Sequence, residues 1–179
     1  LVHCGHAAII PLVAVAPEEA VTFADVEGAA RALAGRVRET PMLSAGELSR
    51  IVGARVLLKA ENLQRTGSFK SRGATNMIRA LPRERLECGV VAASAGNHAQ
   101  AVAFAAREAG ARAVLVMPAQ APLAKVAAVR QYGGEVSFVD GGYDEAQAAA
   151  RRLAEAQGYT LVHAFDQPFG NSSAVATLV

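Results

Sequence analysis

The 179-residue sequence predicts an α/β fold: an open parallel sheet with flanking helices. Three observations predict it. Short, β-branched apolar runs recur from Gly89 onward, helix-like stretches separate them, and glycines close those stretches at Gly110, Gly133 and Gly158, 23 and 25 residues apart. Strand–helix repeats of this length make right-handed βαβ units, which build a parallel sheet.

The elements follow in order. Residues 1–17 of an expected leader over 1–20 are apolar and end in small residues, as a secretory signal does. The stretch lacks a basic start and carries Pro11, so it is expected to be a disordered leader. Thr22 and Asp25 have capping-box spacing, and Val26, Ala30, Leu33 and Val37 repeat at helical intervals until Thr40-Pro41 breaks them. A short helix capped by Ser44 and carrying Leu48 and Ile51 is expected next, then a strand over 54–60. A helix beginning near Ser68 shows its apolar side at Met77 and Leu81. Strands are predicted over 89–93, 113–117, 136–139 and 159–163. His98, Val102, Ala105 and Ala109 mark the buried face of the first intervening helix, and Ala146, Ala150 and Leu153 that of the third. Pro122 suits the first turn of the middle helix, and each closing glycine is the expected left-handed cap.

Composition narrows the function. The net charge is +2, and the arginines are scattered among glutamates rather than gathered in a stripe, which argues against nucleic acid as a partner. No run of 18 apolar residues exists to cross a membrane. Cys4 and Cys88 form no CxxC pair, so neither a disulfide framework nor a zinc site is supported, and a reducing cytoplasm fits best. The four histidines lack ligand spacing, and no metal is expected. No GxGxxG or GxxxxGK[ST] follows a strand, which weakens a nucleotide-binding reading.

Two segments carry chemistry. In ENLQRTGSFKSRGATNMI, Glu61 to Ile78, a polar loop leads into a helix with Lys70 in its first turn. The helix dipole opposes a positive charge there, which suits a lysine that must react as a neutral amine. A solvated lysine at a helix start is the alternative. The second segment, SAGNHAQ from Ser94 to Gln100, joins the carboxyl end of a strand to a helix start, where ligands of open α/β sheets bind and free amides hold anions. There Gly96 allows close approach, while Ser94 and Asn97 read equally well as simple caps.

Together the segments resemble the serine/threonine dehydratase family of fold-type II pyridoxal-phosphate enzymes. Glu61 and the run Thr66, Gly67, Ser68, Phe69, Lys70, Arg72, Gly73 and Ala74 match its cofactor-attachment pattern, and SAGNHAQ matches its substrate-carboxylate loop. MPAQAPLAKVAAVRQYGGEV and GGYDEAQAAA resemble the segments that follow. The resemblance runs from about Val21 to Pro168. It implies a tryptophan-synthase-β-like fold with a complete small domain over 77–163, part of a large domain over 21–76, and an atypical tail over 164–179.

The resemblance also implies roles. Lys70 would bind pyridoxal phosphate as a Schiff base and move the substrate α-proton. Asn97 would bond the cofactor's 3′-oxygen, and Phe69 would pack near it. Ser94, Ala95, Gly96, Asn97 and His98 would hold the substrate carboxylate, with the His98 ring alternatively only packing on its helix. The implied reaction is loss of ammonia from L-threonine or L-serine, giving a 2-oxo acid, within amino-acid metabolism such as isoleucine biosynthesis, by a cytoplasmic homo-oligomer. Serine racemases are similar, but they place a second serine where this chain has Ala95, so elimination is favoured over racemisation. A non-catalytic α/β fragment is the reading from another class.

The sequence departs from the pattern late. Gly133-Gly134 and Gly141-Gly142 are misplaced for the family's glycine-rich phosphate loop, and FGNSSAVATLV lacks the expected continuation. A truncated chain, inactive alone and with Val26, Leu33, Val56 and Leu58 uncovered, is the corresponding expectation.

Overall fold

The computed structural model describes residues 22–164. The expected leader, and the tail from residue 165 on, lie outside them. The chain runs α1 (Phe23–Leu33), β1 (Met42–Ser44), α2 (Gly46–Val52), β2 (Leu57–Lys59), a 3-10 turn (Glu61–Leu63), α3 (Lys70–Arg79) and α4 (Arg83–Cys88). Then come β3 (Val90–Ala93), α5 (Asn97–Glu108), β4 (Ala113–Pro118), α6 (Leu123–Gln131), β5 (Glu135–Val139), α7 (Tyr143–Gln157) and β6 (Thr160–Leu161).

The expected parallel sheet is present, with strand order β5-β4-β3-β6. Alternation along the strands divides its side chains between two faces. Val90, Ala92, Leu115 and Met117 face α5 and α6 and share a core with Ile78 of α3, Val102 and Val129. Val91, Ala93, Val114 and Val116 face α7 through Ala146 and Ala150. Alanines on α5 and α7 allow close approach to the sheet. Gly110, Gly133 and Gly158 adopt positive φ, as their places after helices required.

From β3 the chain winds outward through α5 to β4 and through α6 to β5. It then returns by α7, on the opposite face, to β6 on the other side of β3. The strand order therefore reverses between β3 and β6, and such a reversal opens a crevice at the carboxyl ends of the two strands.

The N-terminal part differs from expectation in several places. The capping box at Thr22 and Asp25 forms as predicted, but α1 stops at Leu33, well before Thr40-Pro41. Gly35 at φ 72° turns the chain, and Val37 lies outside the helix. Ser44 ends β1 instead of capping α2, which has Ala45 at its N-cap and no side-chain cap. The strand expected over 54–60 shrinks to Leu57–Lys59, paired antiparallel with β1. Leu33, expected to be uncovered, is 1% exposed, because α1 packs on α3. Leu58 is exposed as expected, while Val26 and Val56 are half-buried. Helix α3 packs on α5. Cys88 is disulfide-bonded, which the spacing of the two cysteines did not predict. Among the described residues, no helix is long and apolar enough to cross a membrane, and no group of acidic, histidine or cysteine side chains is arranged to hold a metal.

Candidate active site

Lys70 is the first residue of α3. The loop before it turns at Gly67, with φ 73°. The helix buries Ser71, Ala74, Thr75, Met77 and Ile78, so its start is held rigidly while Lys70 projects from it half-buried. The Lys70 Nζ donates to the carbonyl of Ala164 at 3.1 Å and lies 5.4 Å from the centre of the Phe69 ring. Burial lowers the Lys70 pKa from its ordinary 10.5. The amine is thus not the freely solvated group that the simpler reading required.

The second segment lies at the same end of the sheet. β3 pairs with β6 in the register Val90↔Thr160 and Val91↔Leu161, and carrying that offset forward sets Ala164 level with Ser94. Lys70 and the loop 94–98 therefore converge on the crevice where the strand order reverses. In that loop the Gly96 N–H donates to Ser94 Oγ at 3.1 Å. Gly96 is the N-cap of α5, and no side chain caps the helix, so its first-turn amides are available to an anion. A Cβ added at Gly96 would meet nothing nearer than Ser94 Oγ, at 3.9 Å. The chain's own packing does not demand glycine there; what glycine keeps open is the approach to those amides.

The structure separates the loop residues by role. His98 turns inward: its ring is 8% exposed, and Nε2 lies 3.1 Å from the Val162 carbonyl. Burial, aided by the nearby Lys70 and His163 charges, outweighs that hydrogen bond and lowers the His98 pKa to about 4. The ring thus ties the start of α5 to the end of β6, and only its main chain is offered to a ligand. Asn97 is exposed, and its Oδ1 accepts from Lys125 Nζ at 3.3 Å. Ala95 is half-buried beside it.

Two features were missed from sequence. Lys125 sits in the first turn of α6, which starts from the carboxyl end of β4; that position, on the same edge of the sheet, was the available signal. Arg72 and Glu61 were recognised only as pattern matches. In the structure they form an ion pair between buried Arg72 and half-buried Glu61, with Arg72 Nε 2.9 Å from Glu61 Oε2 and Nη2 2.8 Å from Oε1. The misplaced glycine pairs have other uses. Gly134 fits against Leu115, Val129 and Ala103, and the Gly142 amide donates to Glu145 at the start of α7.

The residues present fit a carbonyl cofactor with an acidic substrate group: a desolvated amine, an uncapped helix start, and an open approach at Gly96. Ser68 Oγ and Thr66 Oγ1, buried in the loop before Lys70, have no hydrogen-bond partner.

Comparison with known proteins is consistent with that chemistry. A sequence profile for the family described as pyridoxal-phosphate dependent enzyme matches residues 33–179. The chain is 46% identical over 147 residues to L-threo-3-hydroxyaspartate ammonia-lyase from a Pseudomonas species, covering 82% of this chain and 46% of that one. It is 46% identical over 148 residues to L-threonine ammonia-lyase from Thermotoga maritima, covering 83% of this chain and 37% of that one. Maize serine racemase superposes with a TM-score of 0.81 at 35% identity, over 89% of this chain and 49% of that one. The chain spans less than half the length of the two ammonia-lyases.

Proposed function

The chain belongs to the family of pyridoxal-phosphate dependent enzymes, and from that premise we propose that it carries the lysine-bearing segment of an ammonia-lyase acting on L-threonine or L-serine. Its fold is that of the fold-type II members. The observation that carries the reading is the convergence of the Lys70 amine and the loop 94–98 on one crevice between β3 and β6.

Pyridoxal phosphate, when bound, supplies an electron sink for the charge left at the substrate's α-carbon. The residues of this chain supply the rest. Lys70 would hold the cofactor through Nζ, and burial, which lowers its pKa, favours the neutral amine that can take a proton. Amides at the start of α5, from Gly96 onward, bind the substrate carboxylate, with Ser94 fixing the turn. Asn97, which accepts from Lys125, and Phe69, beside the Lys70 amine, would be the residues to hold the cofactor ring. The α-proton and the β-hydroxyl leave, and addition of water to the released imine gives a 2-oxo acid and ammonia. Ala95 presents a methyl group, which cannot exchange a proton on the opposite face, and this favours elimination over the racemisation that the maize relative's name describes.

The enzyme is proposed to work as a homo-oligomer in the cytoplasm, with a place in isoleucine biosynthesis as one metabolic setting. The test is to supply the protein that carries this segment with pyridoxal phosphate and follow 2-oxo acid formation from L-threonine, L-serine and L-threo-3-hydroxyaspartate. Turnover of a β-hydroxy amino acid, lost in Lys70→Ala, is expected. Ammonia release that persists in Lys70→Ala would refute the assignment.

A further inference from the structure

The ion pair between Arg72 and Glu61 is placed where an isolated charge would be unfavourable. Arg72 lies in the first turn of α3, two residues from Lys70, and is 3% exposed. A guanidinium there faces both desolvation and an opposing helix dipole. Its charge is met by a bidentate pair with Glu61, the geometry that an arginine fork and a carboxylate favour. Arg72 Nη2 also donates to the Arg38 carbonyl and to Thr40 Oγ1, each at 3.2 Å. The Thr40 hydroxyl in turn donates to Glu61. Burial pushes the Glu61 pKa up, but the hydrogen bonds from Arg72 and Thr40, with the charges of Arg72 and Lys59, outweigh it and hold the carboxyl below its ordinary value. Gln64 closes the arrangement: its Oε1 accepts from the Arg38 amide at 2.8 Å and its Nε2 donates to the Arg38 carbonyl at 2.9 Å.

Three separate pieces of chain meet at this cluster: the segment 38–40, the turn at Glu61–Leu63, and the start of α3. They flank the loop that presents Lys70. No side chain caps α3, and the cluster ties its first turn to the two other pieces of chain.

We infer that Arg72, Glu61 and Thr40 together form a positioning device that sets the first turn of α3 so that the Lys70 amine reaches the crevice between β3 and β6. The inference rests on the Lys70 reading above. Arg72 acts through the helix backbone and touches no reacting atom. Loosening the cluster lets the first turn of α3 swing toward solvent, which raises the Lys70 pKa toward its ordinary value and removes neutral amine.

The chain contains three lysines, Lys59, Lys70 and Lys125, so site-resolved labelling is clean. The full chain and its Arg72→Lys and Thr40→Val variants are labelled with trace acetic anhydride across pH 6–11, and each lysine is quantified by mass spectrometry. Thr40→Val removes one hydroxyl without leaving a buried charge unpaired; it carries the test if Arg72→Lys does not fold, as judged by circular dichroism. Lys70 reactivity at pH 8, relative to Lys125, should fall about threefold in Thr40→Val, as its pKa rises toward its ordinary value. The fall should be larger in Arg72→Lys. A Lys70 profile unchanged in folded Thr40→Val overturns the positioning role. Borohydride trapping of pyridoxal phosphate on the same proteins keeps the two claims apart. Trapping on Lys59 or Lys125 in the unmodified chain would sink the Lys70 reading itself. Trapping on Lys70 at equal rates in all three proteins would sink only the positioning role.

Discussion

Lowering the pH from 7 to 5 should destabilise this protein through one buried side chain, His98. Its pKa falls from 6.5 to about 4 because burial penalises the charged ring and the charges of Lys70 and His163 add to that penalty. In the unfolded chain the ring takes up its proton near pH 6.5, while the folded protein resists until about pH 4. The unfolded state therefore binds more protons throughout that window. The stabilisation is fully present above pH 6.5 and is lost as pH falls toward 4. At about 1.4 kcal/mol per pH unit the whole window is worth roughly 3 kcal/mol, of which roughly 2 kcal/mol is gone by pH 5. That is a large share of the 5–15 kcal/mol that ordinarily separates folded from unfolded domains. Carboxylates such as Glu61 and Glu135, whose folded pKa values are lowered, lose their contributions mainly below about pH 4.5, so the interval from 7 to 5 isolates the histidine. Urea unfolding followed by circular dichroism at pH 7, 6 and 5 measures the loss. His98→Gln, which cannot titrate, should lose roughly 2 kcal/mol less than the parent between pH 7 and 5, whatever its stability at pH 7. Equal losses in the two proteins would refute the reasoning.

Gly134→Ala should destabilise by about 1–3 kcal/mol in urea unfolding, because its Cβ would fall 2.8 Å from both Leu115 Cδ2 and Val129 Cγ1 and 2.9 Å from the Ala103 Cβ inside a filled core; an unchanged midpoint would show that the core yields freely. With Ala95 in place, conversion of L-serine should give pyruvate with little D-serine, and chiral chromatography finding D-serine formed as fast as pyruvate would remove the argument from the missing hydroxyl. The 179 residues alone should turn over L-threonine at a small fraction of an ammonia-lyase relative's rate, because none of the described residues is assigned to the cofactor phosphate and Leu43, Ile51, Val52 and Leu58 stand exposed. Rates of 2-oxobutanoate formation near the relative's would contradict that.

The sheet was legible because its two central strands, β3 and β4, are runs of buried apolar residues and its glycines sit at left-handed caps; both are local signals. β1 was not, since Met42–Ser44 is short and exposed along its whole length. Nor was α4, whose six residues bury none of their side chains and so carry no helical periodicity. The end of α1 was misplaced because proline is a stronger signal in sequence than Gly35, which turned the chain first. Lys70 and the loop 94–98 could be read as segments, but their meeting depends on a crossover that brings β6 beside β3, and no local pattern encodes that. The inward turn of His98 and the pairing of Arg72 with Glu61 are tertiary for the same reason: the pairs are separated by 64 and 11 residues.

Of Lys59, Lys70 and Lys125, Lys70 is the one proposed to hold pyridoxal phosphate. Incubating the protein with the cofactor at pH 7.5, reducing with borohydride and mapping the peptides by mass spectrometry tests it directly. The pyridoxyl mass is expected on Lys70, with Lys59 and Lys125 unmodified at one equivalent of cofactor. Equal labelling of all three, or labelling that persists undiminished in Lys70→Ala, would contradict it.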